Sequence, residues 1–294
     1  MTAKQVIRLV QITDSHLFAD PSMSLLGMNT MHSLNSVIGN INQQCTALDL
    51  LLATGDIAQD GSIAAYENFI ASVSTLDLPF AWLPGNHDDG AVMDSIAANT
   101  SASGDIYRAD IHADGASKGR ENLAQPIRQK TLVMGNWQII LIDSTVAGHT
   151  WGHICPKELN YLHTSLEQAK TNPRIEHCLV CLHHNPLPEN SQWLEKLGLR
   201  DNKSFFDVMA ASNMVRMVIH GHIHQDLELT SQGIRCMASP STCVQFKPGA
   251  DEFELDQVNP GYRLLNLHSD GAIETELVRL QGTDFKVDTK LKSY

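Results

Sequence analysis

Apolar residues along this chain follow two alternating rhythms. The runs Val6 to Thr13 (VIRLVQIT), Leu48 to Ala53 (LDLLLA), Pro79 to Trp82, Asn136 to Ser144 (NWQIILIDS), Cys178 to Leu182 and Met214 to Ile219 (MVRMVI) are apolar almost throughout. Short runs of this kind, closed by turn residues, predict strands buried on both faces. Between them, apolar positions recur three and four residues apart. Met31, Leu34, Val37, Ile38 and Ile41 mark a helix over Met31 to Thr46. Ile63, Tyr66, Phe69, Ile70 and Val73 mark one over Ser62 to Leu76, and Leu159, Leu162 and Leu166 one over Lys157 to Lys170. Ser204 to Asp207 reads as a capping box opening a helix that runs to Asn213. Gly233 to Ser239 and Tyr262 to Leu280 alternate like antiparallel strands, with a turn at Ser269-Asp270-Gly271. The alternation predicts an α/β chain, with no internal repeat and no linker that would cut a domain boundary. Ser101 to Arg120 is rich in Ser, Gly, Asp and Ala and reads as a surface insertion.

Where the apolar runs stop, the same kinds of side chain appear. The strand ends carry Asp14-Ser15-His16, Gly55-Asp56, Gly85-Asn86-His87, His183-His184 and His220-Gly221-His222-Ile223-His224. Any one of these is an ordinary turn with a surface histidine. All of them, each at the carboxyl end of a strand, point to one crevice, because strand ends in α/β sheets converge on the ligand site. Asp14 and His16 share a face if the first strand persists. Neighbours on a strand diverge, so His183 is the ligand candidate and His184 a supporting or rim residue. Asp60 and Asp143 are candidates to hold ligating imidazoles, Asp88 and Asp89 to be helix N-terminal acids. His149 and His153 read as rim residues. Carboxylate and amide oxygens mixed with imidazole nitrogens suit divalent Mn, Fe(II) or Zn rather than Ca or Cu(I).

Composition narrows the partners. The chain has 294 residues and is 43% hydrophobic, enough for a substantial core. With 33 acidic and 21 basic residues its formal charge is −12, which argues against nucleic acid or an anionic membrane surface as partner. An anionic substrate would then need a local positive charge, which bound metal supplies. Cys178 and Cys181 have a zinc-like spacing, but on a strand they face opposite sides and cannot grip one ion. They read as buried free thiols in a reducing compartment. No apolar run approaches the ~18 residues of a membrane span, and the start of the chain has no signal-peptide pattern; the expected location is cytoplasmic.

The metal-type positions Asp14, His16, Asp56, Asn86, His87, His183, His222 and His224 together resemble the signature of the calcineurin-like metallophosphoesterase superfamily. The segments LVQITDSHLF from Leu9, ATGDIAQD from Ala53, LHHNPLP from Leu182 and PSTCVQFKP from Pro240 are similar to those of the bacterial class III 3′,5′-cyclic AMP phosphodiesterases, nearly end to end. That resemblance implies a four-layer α-β-β-α sandwich of two mixed sheets flanked by helices, spanning 1–294 with an insertion at about 100–130. It implies two divalent ions, with Fe(II) and Mn ahead of Zn. One would take Asp14, His16, Asp56 and His224, the other Asp56, Asn86, His183 and His222. Asp56 would bridge them at ~3.5–4 Å, the spacing of two-metal sites. Two such ions with two carboxylates and a hydroxide carry about +1, a match for a phosphodiester monoanion. The implied reaction is hydrolysis of 3′,5′-cyclic AMP to 5′-AMP by in-line attack of a bridging hydroxide. His16, Asn86, His87 and His222 would contact substrate, and His87 would be the catalytic residue, free to stabilise the phosphoryl oxygens or protonate the leaving oxygen. Pro240 to Pro248 would line the base.

Other readings stand beside it. The same metal site serves a broad-specificity phosphodiesterase or phosphomonoesterase. A nuclease would need a basic, aromatic-interleaved stripe that the chain lacks. A non-catalytic scaffold would be expected to have lost ligands, and none is missing. The expected partner is a small cyclic nucleotide; homodimer formation, base preference and the role of the insertion are left open.

Overall fold

The computed structural model describes residues 6–100, 126–127, 129–282 and 285–291. The first strand, β1 (Val6–Ile12), leads into a small hairpin of β2 (Ser24–Leu25) and β3 (Met28–Asn29). There follow α1 (Thr30–Gln44), β4 (Leu50–Thr54), α2 (Ile63–Val73), β5 (Phe80–Leu83) and α3 (Gly90–Thr100). The middle of the chain gives β6 (Pro126–Ile127), β7 (Thr131–Met134), β8 (Trp137–Leu141), α4 (Pro156–Thr171), β9 (His177–Cys181), α5 (Gln192–Glu195), α6 (Asn202–Ser212) and β10 (Val215–His220). Six further strands close it: β11 (Leu227–Ser231), β12 (Ile234–Ala238), β13 (Gln245–Phe246), β14 (Leu255–Asp256), β15 (Gly261–His268) and β16 (Ile273–Arg279).

Two mixed six-stranded sheets result, in the orders β16-β15-β1-β4-β5-β6 and β11-β12-β10-β9-β8-β7. The inner strands of each are parallel and the antiparallel strands lie at the margins. Alternation along the strands builds the layers. In β1, Leu9 packs between the sheets and its neighbour Val10 packs under the helices. In β4, Leu50 and Leu52 face the second sheet while Leu51 and Ala53 face α1 and α2. Both faces are covered, which is why these strands read as unbroken apolar runs. On the far side, Leu162, Leu166, Phe205 and Met209 of α4 and α6 cover Ile140, Val180 and Val218. The four layers expected from the resemblance are therefore present.

Boundaries fall within a few residues of expectation, with informative exceptions. The helix expected to open at Ser204 begins at Asn202, and the Ser204 hydroxyl donates back to the Asp201 carbonyl at 2.9 Å. Ser204 is thus inside the first turn, and no capping box forms. The strands β7 and β11 were not anticipated; β11 is half-exposed along its whole length and so carries a weak apolar pattern. The helix expected after the acids Asp88 and Asp89 is α3. Its first turn is capped by Asp89, whose Oδ1 accepts the Ala91 and Val92 amides at 2.9 and 3.1 Å. Most of the 100–130 insertion lies outside the described residues.

Cys178 packs among the helices and Cys181 between the sheets, on opposite faces as expected. Among the described residues no helix is long and apolar enough to cross a membrane.

Candidate metal centre

The two sheets point the carboxyl ends of β1, β4, β5, β9 and β10 to one side. The loops leaving those ends carry the candidate ligands. Among the described residues, three groups of side chains bring potential ligand atoms within 4.8 Å of one another. They are Asp14, His16 and His224; His16, Asp56 and His87; and Asp56, His183 and His222. His149 and His153 belong to none. The first is exposed with its ring 4.7 Å from Trp151, and the second faces Asp201 at 3.4 Å. His220 also stays out, its Nδ1 directed to the Gly221 carbonyl at 3.0 Å.

The local backbone explains the convergence and corrects one expectation. The strand does not persist through Asp14 and His16: β1 ends at Ile12, and both residues are left-handed, with φ of 54° and 47°. Asp56, His222 and His224 are left-handed too, at 48°, 70° and 49°. A non-glycine residue in this region costs on the order of 1 kcal/mol or more and is held only by its surroundings. Here the surroundings are backbone bonds between the loops, Asp14 N–H to Gly55 O at 3.0 Å and His16 N–H to Asp56 O at 2.9 Å. Glycines allow the approach. A Cβ on Gly55 would lie 2.4 Å from His183 Nδ1, and one on Gly221 would lie 2.6 Å from Asp14 Oδ2.

Each imidazole is anchored through one nitrogen and presents the other. His16 Nδ1 meets Gln59 Oε1 at 2.6 Å, His183 Nδ1 the Thr54 carbonyl at 2.9 Å, and His224 Nδ1 the Val244 carbonyl at 2.8 Å. His222 is reversed, with Nε2 on the Leu197 carbonyl at 3.1 Å. An oxygen acceptor fixes the proton of the neutral ring on the anchored nitrogen, so the inward nitrogen of the neutral ring carries the lone pair. The supports expected at Asp60 and Asp143 are elsewhere: Asp60 accepts the Ala19 and Ser62 amides, Asp143 the Thr145 amide and hydroxyl. Gln59, which sequence reading passed over, does that work for His16. Its only advance signal was a polar side chain in the turn after Asp56.

The inward atoms are acceptors crowded together, which only a proton or a cation between them can reconcile. His16 Nε2 stands 3.2 Å from His224 Nε2, which is 3.3 Å from Asp14 Oδ1. His222 Nδ1 stands 3.3 Å from His183 Nε2, and Asp56 Oδ2 lies 3.3 Å from His183 Nε2 and 3.8 Å from His16 Nε2. Asn86 Oδ1 is buried with no hydrogen-bond partner. Oxygen and imidazole acceptors that converge in buried space fit divalent cations. The titration behaviour agrees. Burial alone would push the Asp56 carboxyl up, but His183, His87 and His16 around it hold it well below the usual range. Burial also opposes charge on His183, yet Asp56 and Asp14 raise it to about 9. His16, dominated by burial, falls to about 3.

The remaining residues frame this centre. His184 Nδ1 bonds Ser144 Oγ at 2.8 Å, its ring 4.7 Å from that of His222. Phe246 stacks on His224 at 4.1 Å between ring centroids, and the Ser241 hydroxyl donates to the Asp14 carbonyl at 2.7 Å. The 240–248 segment thus supports ligand loops. Asp14, His16, Asp56, His183, His222 and His224 are buried, whereas Asn86 and His87 are half-exposed and mark the open side.

The sequence model of the calcineurin-like phosphoesterases matches residues 7–226, and the chain, a sandwich of two mixed sheets, belongs to that family. Within it, the chain belongs to the family of bacterial 3′,5′-cyclic adenosine monophosphate phosphodiesterases called CpdA. It is 36% identical to the Pseudomonas aeruginosa protein of that name and 38% to that of Escherichia coli K12, in both cases over 98% of this chain and 95% of the relative. A 3′,5′-cyclic-nucleotide phosphodiesterase of Nostoc is 34% identical over 95% of each chain. A dimetal phosphatase from Danio rerio shares the fold, with a TM-score of 0.58 at 14% identity over 93% of this chain and 98% of that one.

Proposed function

We propose that this protein hydrolyses 3′,5′-cyclic AMP to 5′-AMP at a pair of divalent ions. Asp14, His16 and His224 would hold one ion and Asn86, His183 and His222 the other, with Asp56 between them. The observation that carries the reading is the position of Asp56 Oδ2, 3.8 Å from His16 Nε2 and 3.3 Å from His183 Nε2. One carboxylate oxygen is within reach of both groups. Full-length kinship to phosphodiesterases with this substrate in their names supports the choice of substrate.

When bound, such ions supply Lewis-acid stabilisation of phosphoryl oxygens and a water acidic enough to ionise near neutral pH. The chain's own residues do the rest. Asp56 Oδ1 accepts the His87 amide at 2.9 Å, which fixes the turn carrying Asn86 and His87 at the open side. From there the His87 imidazole would donate a proton to the departing 3′-oxygen, and Asn86 would hold the phosphoryl group. His16 and His222, anchored at Gln59 and Leu197, keep their inward nitrogens fixed while charge develops at phosphorus. Fe(II) or Mn(II) are the expected ions, Zn(II) an acceptable one. A cytoplasmic location fits the buried free thiols and the intracellular substrate.

The test is hydrolysis of 3′,5′-cyclic AMP by metal-stripped protein refilled with Mn(II), with bis(p-nitrophenyl) phosphate in parallel. Turnover of both, giving 5′-AMP and abolished by chelator, is expected. Turnover of the artificial diester alone would discard the substrate and keep the phosphoesterase; no turnover of either would leave a scaffold.

A further inference from the structure

Asp88 stands beside the proposed ligand Asn86 but turns away from the centre, toward two loops. Its Oδ2 accepts the amides of Ile57 at 3.1 Å and Gly85 at 2.8 Å. Its Oδ1 accepts the Ala58 amide at 2.9 Å and the Tyr66 hydroxyl at 3.1 Å. Ile57 and Ala58 follow Asp56 directly, after β4 has ended at Thr54 and left their amides without strand partners. Gly85 begins the turn that presents Asn86 and His87, closed by the Asp88 amide on the Gly85 carbonyl at 3.1 Å. One half-buried carboxylate therefore ties the Asp56 turn to the Asn86-His87 turn.

Tyr66 completes the arrangement from below. It is fully buried on α2, and its hydroxyl donates to Asp88 while accepting the Asp89 amide at 2.7 Å. The edge of its ring rests against Trp82 of β5, with centroids 5.9 Å apart. The clamp is thus anchored in the helix layer, on the side of the sheet away from the second sheet.

We infer that Asp88, held by Tyr66, is a positioning residue that sets the separation between the bridging carboxylate Asp56 and the Asn86-His87 turn. Four donors converge on its two oxygens, and a carboxylate offers acceptor sites to all of them. An amide of the same shape would turn an NH2 toward one pair of donors, and the turns would part. The ion that needs both Asp56 and Asn86 would then lose affinity, while Asp14, His16 and His224 would be left in place. This rests on the two-ion reading above but is tested without substrate.

The experiment is titration of the metal-stripped full-length chain with Mn(II) by calorimetry, with electron paramagnetic resonance of the filled protein. Wild type is expected to take two equivalents and show a coupled pair. Asp88→Asn should keep one tight equivalent, bind the second about 10–100-fold more weakly, and show the signal of an uncoupled ion. Tyr66→Phe, which leaves the carboxylate and its backbone donors intact, should weaken the same equivalent about threefold. Partial recovery in Asp88→Glu would mark the requirement as one for a carboxylate. Wild-type affinity for both ions in Asp88→Asn would overturn the inference. If Asp88→Asn does not fold, unchanged affinity in Tyr66→Phe would overturn it equally. If wild type binds two ions but leaves cyclic AMP intact, the substrate assignment fails and the clamp stands.

Discussion

Gly85 lies against Asp56 so closely that a Cβ on it would sit 2.2 Å from the carboxylate Oδ1 and 2.3 Å from the backbone nitrogen. Neither atom is the loose end of a flexible chain, so one of the two turns must move. Gly85→Ala is therefore expected to fold, because the contact is local to the loops, and to lose most of its turnover. A drop of about 100-fold or more in kcat/KM is the expected scale for a misplacement near 1 Å. Circular dichroism together with steady-state kinetics on the refilled protein would check it; activity within twofold of wild type would contradict the close approach.

Removing His87 separates the ion-holding residues from the proton donor. His87→Ala should retain two metal equivalents by elemental analysis and lose about 10²–10⁴-fold in kcat. The loss should be smaller for bis(p-nitrophenyl) phosphate, whose leaving group needs little protonation. Loss of metal would instead make His87 a ligand, in line with its place beside His16 and Asp56.

Asp56→Ala should lose both ions, since its Oδ2 faces both histidine groups. By contrast Gln59→Ala should weaken one ion about 10–100-fold, because the His16 ring would no longer be held by its Nδ1. Equilibrium dialysis against Mn(II) distinguishes the two outcomes.

A pH effect on stability is expected from Glu189, buried behind the His183 loop and bonded to Asn185 Nδ2 at 3.3 Å. Burial, reinforced by Glu195, raises its carboxyl from 4.5 to about 7. The folded protein thus binds a proton that the unfolded chain has released, and stability falls as pH rises across that window. Glu189→Gln should have a higher melting temperature than wild type at about pH 8 and nearly the same one at about pH 4.5. Parallel melting curves would show the two proteins diverge as pH rises between those values.

The parts of this molecule that sequence made legible are those where burial is total. Strands such as β4, covered on both faces, announce themselves as apolar runs, and their ends give away Asp56, Asn86 and His183. What stayed hidden is set by contacts across the fold. The left-handed turns at Asp14 and His16 follow from amides of neighbouring loops, so a strand-face argument placed the two side chains correctly for the wrong reason. Which nitrogen of each imidazole faces inward depends on carbonyls of Thr54, Val244 and Leu197, far away in sequence. Asp88 and Asp89 looked alike as helix-start acids. Only Asp89 caps α3; Asp88 is drawn back to the loops.

Each proposed ion draws its ligands from both sheets: Asp14, His16, Asp56 and Asn86 leave the first, His183, His222 and His224 the second. Chelation and the docking of the two halves are then a single equilibrium. Ions drawn in would tighten the apolar seam where Leu9 and Leu52 meet Leu179 and Met217, and a seam loosened far from the centre would surrender its ions first. A substitution such as Met217→Ala should therefore be visible as a weaker grip on manganese before it is visible as unfolding, making metal affinity a remote gauge of how well the sandwich is closed.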